Sequence, residues 1–310
     1  MEFDKRLDEF KTIFRRSALP DSVRLVYEQI LAFADARETN KHIASISSEL
    51  AVQLGCDLDL LFPVPETESL REPQELLGQQ RYDAVKEMLG TIDTVEQNAV
   101  DTILERISDA ENELCIFPAP FHLSEEEETR SDRPGSVIDE LLTRITGPVL
   151  LTRTPPRMPP DLYDRVVVIG STLHNLLDLV RATAGLCPEQ TDIEVFAFAD
   201  ERFFKSMRTL LDESTDLESE KTDQQLRQTF LQELKRKLRQ MGEQLAEQYN
   251  ITLRTEVRQA SITDPDGDVS LPGDDPTLIS VPTDFEDGGY EPAVLRRFFQ
   301  SFTRTEFLTI

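Results

Sequence analysis

The chain has 310 residues, 39% of them apolar, and a formal net charge of −26 at pH 7. This length predicts about two domains, and the apolar content is sufficient for sizeable cores. So negative a chain excludes broad binding to DNA or RNA, because a nucleic-acid surface needs cationic groups facing the phosphates.

The composition also predicts where the protein works. Only eight of the 33 basic residues are lysine, and acidic, lysine-poor chains are typical of halophilic cytosolic proteins, in which high salt screens self-repulsion.

Cys56, Cys115 and Cys187 lie among apolar or small neighbours without a C-x-x-C spacing, which favours buried free thiols over a disulfide framework. The sequence shows no signal-peptide core and no apolar run of membrane-spanning length. We therefore expect an acidic, halophilic, cytoplasmic protein without a transmembrane segment.

Residues 1–22 form an N-terminal segment, and the stretch 1–16 carries a helical apolar stripe. The stripe consists of Phe3, Leu7, Phe10, Ile13 and Phe14. It predicts an amphipathic helix. Most such stripes belong to a core, which favours packing on the same domain or on a sister subunit. Docking on a membrane surface or a partner is the alternative.

Short apolar runs then alternate with helical patterns. Strands are predicted at 27–35, 57–64, 91–95, 113–120 and 147–153. Helices are predicted from Thr39 or Asn40 to Gly55, and at 73–89, 99–107 and 136–145. This alternation predicts a parallel sheet with helices on both faces and right-handed crossovers.

The pattern restarts after a stiff, proline-rich linker, "TPPRMPP" at 154–160. The stretch 162–175 aligns with 26–40, so that Tyr163 takes the position of Tyr27. Further strands are predicted at 192–200, 251–257, 277–284 and 306–310, and helices at 176–186, 223–249 and 291–302. We interpret the chain as a tandem repeat with domains at 23–154 and 161–310. Between the third and fourth strands of the second domain, 260–275 is rich in turn residues, which predicts an incompletely covered sheet and a surface for a partner.

These motifs, in this order, resemble the universal stress protein family over about residues 23 to 310. The first copy supplies "YEQILAFADARE…ISSELAVQLGCDLDLLF" and "GSVIDELLTRITGPVLLTR". The second supplies "YDRVVVIG" and "DPTLISVPTD…AVLRRFFQSFTRTEFLTI". The resemblance implies two tandem α/β domains with doubly wound parallel sheets, Rossmann-like and of the adenine-nucleotide alpha-hydrolase type. It also implies that the final strands of the two copies pair as an internal pseudo-dimer.

The family includes members that bind ATP through an aspartate after the first strand and a G-x-x-G-x9-G-[ST] loop after the fourth. Glycines in such a loop let backbone amides approach the phosphates at a helix N-terminus. By this resemblance the candidate ATP site of the first copy is Asp35, Gly135 and Ser136. A turn or helix-cap role for Asp35 is the alternative.

The phosphate loop of the first copy departs from the family pattern. Its first two glycines are absent, Pro118 and Pro120 lack N–H donors, and four acids occupy 125–128. In the second copy Gly170 stands in place of the aspartate, and the loop lacks the final Gly-Ser pair. Acids close to phosphate oppose binding unless a metal intervenes. The sequence therefore predicts a degenerate nucleotide loop.

Other candidate chemistry is sparse in the sequence. His42, His122 and His174 lack a metal-ligand spacing, and "DPDGD" at 264–268 lacks the distal glutamate of a calcium loop. We therefore expect no metal site, no catalytic residues and no resident cofactor, with ATP in the first domain as the exception to consider.

Three functions are compatible with this sequence. The favoured one is a non-enzymatic stress-response or regulatory protein that acts through protein–protein contacts. The alternatives are an ATP-binding switch or weak ATPase in the first domain, and a soluble regulator docked on a membrane transporter through the N-terminal helix. A homodimer and an internal pseudo-dimer both remain open, and the sequence names no protein partner.

Overall fold

The computed structural model describes most of the two sheet halves and their helices. The described residues are 22–33, 40–64, 79, 82–83, 89–96, 100–107, 112–121, 136–153, 163, 165–170, 173–198, 220–258, 271, 276–283, 292–302 and 305–310. The helix predicted over residues 1–16, the linker at 154–160 and most of the turn-rich stretch at 260–275 lie outside them.

Strands and helices alternate along the described part of the chain. The strands there are β1 Gln29–Phe33, β2 Asp57–Val64, β3 Leu89–Glu96, β4 Glu113–Ala119, β5 Val149–Arg153, β6 Val166–Gly170, β7 Asp192–Phe198, β8 Thr252–Arg258, β9 Leu278–Val281 and β10 Glu306–Thr309. The helices there are α1 Asn40–Leu54, α2 Val100–Arg106, α3 Ser136–Leu141, α4 Leu173–Leu186, α5 Glu220–Tyr249 and α6 Pro292–Ser301.

The strands form one sheet in the order β3-β2-β1-β4-β5-β10-β9-β6-β7-β8. Across the sheet, the second five strands repeat the order of the first five in reverse, and pairing within each half is parallel. The halves join where β10 pairs antiparallel with β5, with Leu308 opposite Leu150. Helices cover both faces, so the predicted doubly wound, Rossmann-like α/β class is confirmed. The final strands of the two halves pair as expected.

Each strand near the centre of the sheet is buried on both faces, which is why it reads as a continuous apolar run. In β1, Ile30 and Ala32 face the core that contains α1, α4 and α5. Leu31 and Phe33 face the opposite core, which contains α3 and α6. The predicted helix stop at Gly55 is also present, because this residue has a φ of +67°, a conformation that glycine adopts without strain.

Several predicted boundaries differ from those of the structure, and two helix ends are the clearest cases. The helix expected to reach Leu89 ends earlier, because Leu89 is the first residue of β3 and lies opposite Leu58 in β2. The helix expected over 136–145 ends at Leu141 and continues as turns through residue 144. Sheet pairing takes precedence over helix propensity at the first boundary, since a strand residue gains a ladder partner there.

The segment before β1 crosses to the other half of the molecule. The Leu25 amide donates to the carbonyl of Arg181 at 3.0 Å, and the Tyr27 hydroxyl donates to the carbonyl of Ala182 at 3.0 Å. Both carbonyls belong to α4. Gly185 in the same helix lets the segment approach, because a Cβ at this position would lie 2.6 Å from the Leu25 carbonyl oxygen. The two halves are therefore joined by this segment as well as by the sheet.

Candidate functional site

The candidate site is the crevice at the carboxyl ends of β1 and β4. Helices switch from one sheet face to the other between these strands, and doubly wound folds bind their ligands at such a point. The equivalent place in the second half is the carboxyl end of β6 and β9.

Three buried phenylalanines lie at the described edge of the first crevice. Phe33 ends β1 and stacks on Phe117 of β4, with ring centroids 4.5 Å apart and planes 3° apart. Phe121 meets Phe117 edge to face, with centroids 5.5 Å apart. Their exposed fractions are 2%, 0% and 1% in sequence order. We name Phe33, Phe117 and Phe121 the aromatic plug.

The fold explains why the plug forms. Ala32 lies opposite Ile116 in the parallel ladder, so the next residue on each strand, Phe33 and Phe117, points to the same face. Phe121 returns to this face after Pro120 and packs in the core that contains α3 and α6. Hydrophobic packing thus extends to the ends of the strands, where a nucleotide-binding protein of doubly wound fold needs an open cleft.

Two positions in the described walls of the crevice lack the backbone donors that a phosphate needs. Pro118 and Pro120 offer no N–H donors. Ser136 is the first residue of α3, a helix of only six residues. Asp35, Gly135 and the acids at 125–128 lie outside the described residues. The faces of the plug are not available for stacking on a base, because the rings are buried against one another.

Arg153 ends β5 beside this crevice, opposite Ala119 in the ladder. Its guanidinium turns to the second half of the molecule, where it lies 4.2 Å from the ring centroid of Phe299 and donates to the Phe299 carbonyl. Its side chain is buried. This arginine therefore stabilises the junction between the halves and is not oriented as a ligand for an anion in the crevice.

Different contacts lie around the crevice of the second half. A Cβ on Gly170 would lie 2.9 Å from Leu176 Cδ1, so the end of β6 approaches α4 closely. After β9, the amide and hydroxyl of Thr283 donate to the carbonyl of Ile310 at 2.9 and 2.7 Å. The alignment of Tyr163 with Tyr27 places Ser171, rather than Gly170, at the position of Asp35. The prediction that Gly170 replaces the aspartate was therefore off by one position.

The three buried cysteines and Tyr27 favour their neutral forms. Burial raises the pKa of Cys56 to about 11 and that of Cys187 to about 12. It also raises the pKa of Cys115 and Tyr27. The three cysteines are free and buried, as the sequence predicted. Thiols of this kind are packing groups rather than nucleophiles.

The described ranges contain no metal site and no membrane-spanning helix. No group of three or more histidine, cysteine or acidic side chains there could hold a metal ion. No helix among the described residues is long and apolar enough to cross a membrane.

Sequence reasoning missed the aromatic plug. The signal was present in "FPAPF" at 117–121, where two phenylalanines flank two prolines in place of the expected glycines. The prolines indicate missing donors, and the phenylalanines beside them indicate in addition that aromatic rings could occupy the space.

Comparisons with known proteins identify solved structures with a similar fold. No family model and no curated protein matches the chain. A solved protein of unknown function from Pseudomonas aeruginosa PAO1 matches at 13% identity over 92% of each chain, with a TM-score of 0.50. This likeness shows a shared fold.

Two further solved structures match with lower TM-scores. The cytoplasmic domain of a prokaryotic cation chloride cotransporter is 11% identical over 91% of this chain and 95% of its own, with a TM-score of 0.47. A universal stress protein from Archaeoglobus fulgidus is 13% identical over 93% of this chain and 97% of its own, with a TM-score of 0.46.

Proposed function

We propose that the protein is a non-enzymatic regulator of the universal stress protein type that acts through protein–protein contacts. The observation that carries this proposal is the aromatic plug, which places three buried phenylalanine rings at the switch point where the fold otherwise binds a ligand. Because buried core rings lie at this point, we infer that the protein recognises its partners through its surface.

Two further features support a non-enzymatic role. The buried thiols and tyrosines have raised pKa values and so lack nucleophilic character at neutral pH. Arg153, which ends β5 beside the crevice, is packed on Phe299. Catalysis of phosphoryl transfer depends on cations and hydrogen-bond donors aimed at the phosphates. Neither the buried thiols and tyrosines nor the Arg153 guanidinium is oriented in this way.

A phosphate-release assay with ATP and magnesium at high salt tests the absence of enzymatic activity. We expect the purified protein and its Asp35→Ala variant to release phosphate at the same background rate. Release by the parent protein that the substitution abolishes would support an ATPase that uses Asp35 instead.

The transporter-regulator alternative has its own test. It requires the N-terminal segment to hold the protein on membranes, so deletion of residues 1–16 should abolish co-sedimentation with vesicles. Absence of co-sedimentation by the full-length chain would end that alternative and leave the proposed function unaffected.

A further inference from the structure

Among the described strands, β8 forms one edge of the sheet, and its pairing with β7 is continuous. All seven residues of β8 take part, from Thr252 opposite Asp192 to Arg258 opposite Phe198. The strand contains no proline or glycine. A regular strand at a sheet edge presents its outer amides and carbonyls for pairing with another strand.

The two faces of β8 differ in character. Leu253 and Val257 pack against the core that contains α5. Arg254 and Glu256 lie on the opposite face, where their side chains are 65% and 55% exposed. Each has a partner within the chain, since Arg254 pairs with Asp192 at 2.5 Å and Glu256 with Arg258 at 2.8 Å. Both carry enough exposed surface for an additional partner.

We propose that β8 pairs antiparallel with β8 of a second copy of this chain, about a twofold axis at Thr255. In this register Arg254 lies opposite Glu256 of the second copy, and Leu253 lies opposite Val257 of the second copy. The twofold axis repeats both pairs, so the contact is isologous. Opposite charges and apolar residues that face each other directly stabilise an antiparallel pair.

Neighbouring registers are unfavourable. A shift by one residue would bring side chains from different sheet faces together, because side chains alternate along a strand. The next allowed registers are centred on Arg254 or on Glu256, and each places like charges directly opposite one another. Of the registers that pair at least five residues of β8, only the one centred on Thr255 therefore brings opposite charges together.

The other edge of the sheet does not share this property. In β3 the charged residues are Asp93 and Glu96, both acidic, so no self-pairing register brings opposite charges together. Its ladder with β2 also has a register irregularity between Leu58 and Leu60. Irregularities and like charges protect edges from pairing. We therefore assign the self-association to β8 rather than to β3.

Charge-reversal variants test this pairing by sedimentation velocity, at the lowest salt concentration that keeps each variant folded by circular dichroism. The parent chain is expected to form a dimer. Arg254→Glu and Glu256→Arg each turn two attractive cross-strand pairs into repulsive ones, and we expect each to weaken dimerisation about 30-fold. Arg144→Glu, the same reversal on the far half of the molecule, is the control and should leave the dimer intact.

A mixing experiment separates pairing from a general structural effect. In a heterodimer of Arg254→Glu with Glu256→Arg, both cross-strand pairs again join opposite charges. The mixture should therefore dimerise although neither variant does so alone, and the double variant should recover the dimer by itself. A monomeric parent chain, a dimer insensitive to Arg254→Glu, or a mixture that remains monomeric would overturn the proposal.

Discussion

Replacement of Gly185 by alanine tests how the two halves are joined. Gly185 lies in the last turn of α4, and a Cβ there would be 2.6 Å from the Leu25 carbonyl oxygen and 2.8 Å from Tyr27 Cε2. The segment Leu25–Tyr27, which crosses to α4, has little freedom to move away from this helix. Hydrogen bonds to the carbonyls of Arg181 and Ala182 hold Leu25 and Tyr27 against this helix.

The expected magnitude follows from two opposing terms. Overpacking in a dense core costs about 1 to 3 kcal/mol. Alanine is favoured over glycine by up to about 1 kcal/mol inside a helix, and by less in its last turn. We therefore expect Gly185→Ala to lower the free energy of unfolding by about 1 to 2 kcal/mol. Denaturant titration at constant salt, followed by circular dichroism, measures this change.

Gly242→Ala is the matched control. Gly242 lies inside α5, and a Cβ there would be 3.2 Å from Leu253 Cβ, a half-buried residue at the sheet edge. Leu253 needs to yield by only a few tenths of an ångström, so helix propensity dominates and the variant should be as stable as the parent or more stable. If Gly185→Ala matched this control, the close packing of the Leu25–Tyr27 segment on α4 would be refuted.

Three other substitutions and one chemical treatment probe the cores. Phe121→Ala removes a buried ring from the aromatic plug and should cost about 3 to 5 kcal/mol in a thermal or denaturant titration; a loss below about 1 kcal/mol would show that the ring is not buried. Tyr27→Phe should cost about 1 kcal/mol because its hydroxyl donates to the Ala182 carbonyl. Tyr163→Phe should be neutral or stabilising, since its buried hydroxyl makes no hydrogen bond within the described part of the chain. A larger loss of stability for Tyr163→Phe than for Tyr27→Phe would contradict the described contacts. The buried thiols have raised pKa values, so a thiol reagent at pH 8 should label them slowly in the native protein and rapidly after unfolding. Rapid labelling of the folded chain would contradict that burial.

The architecture was predictable because its signals are local and repeated. The apolar run around Ile30 and the glycine stop at Gly55 define a strand and a helix boundary from a few neighbouring residues. Repetition of the pattern extends the same interpretation to Tyr163 and the strand that follows it. The pairing of β5 with β10 was expected from the family resemblance, and the antiparallel register between Leu150 and Leu308 bears it out.

The contacts that define the crevice could not be predicted in this way. The stacking of Phe33 on Phe117 depends on which residues become neighbours across two strands that are far apart in the chain. The position of Arg153 over Phe299 likewise depends on how the halves join. Long-range register, rather than local pattern, decides both contacts. The candidate ATP residues Asp35 and Gly135 lie outside the described residues, and their role stays a prediction.

Calorimetric titration of ATP into the purified protein at high salt, with and without magnesium, tests the central claim most directly. We expect no saturable binding at micromolar to millimolar ATP, because the buried rings of the aromatic plug lie at the crevice and are packed against one another. Asp35→Ala should give the same flat titration. Micromolar binding that is lost in Asp35→Ala would show instead that the crevice accepts a nucleotide, and it would contradict the account.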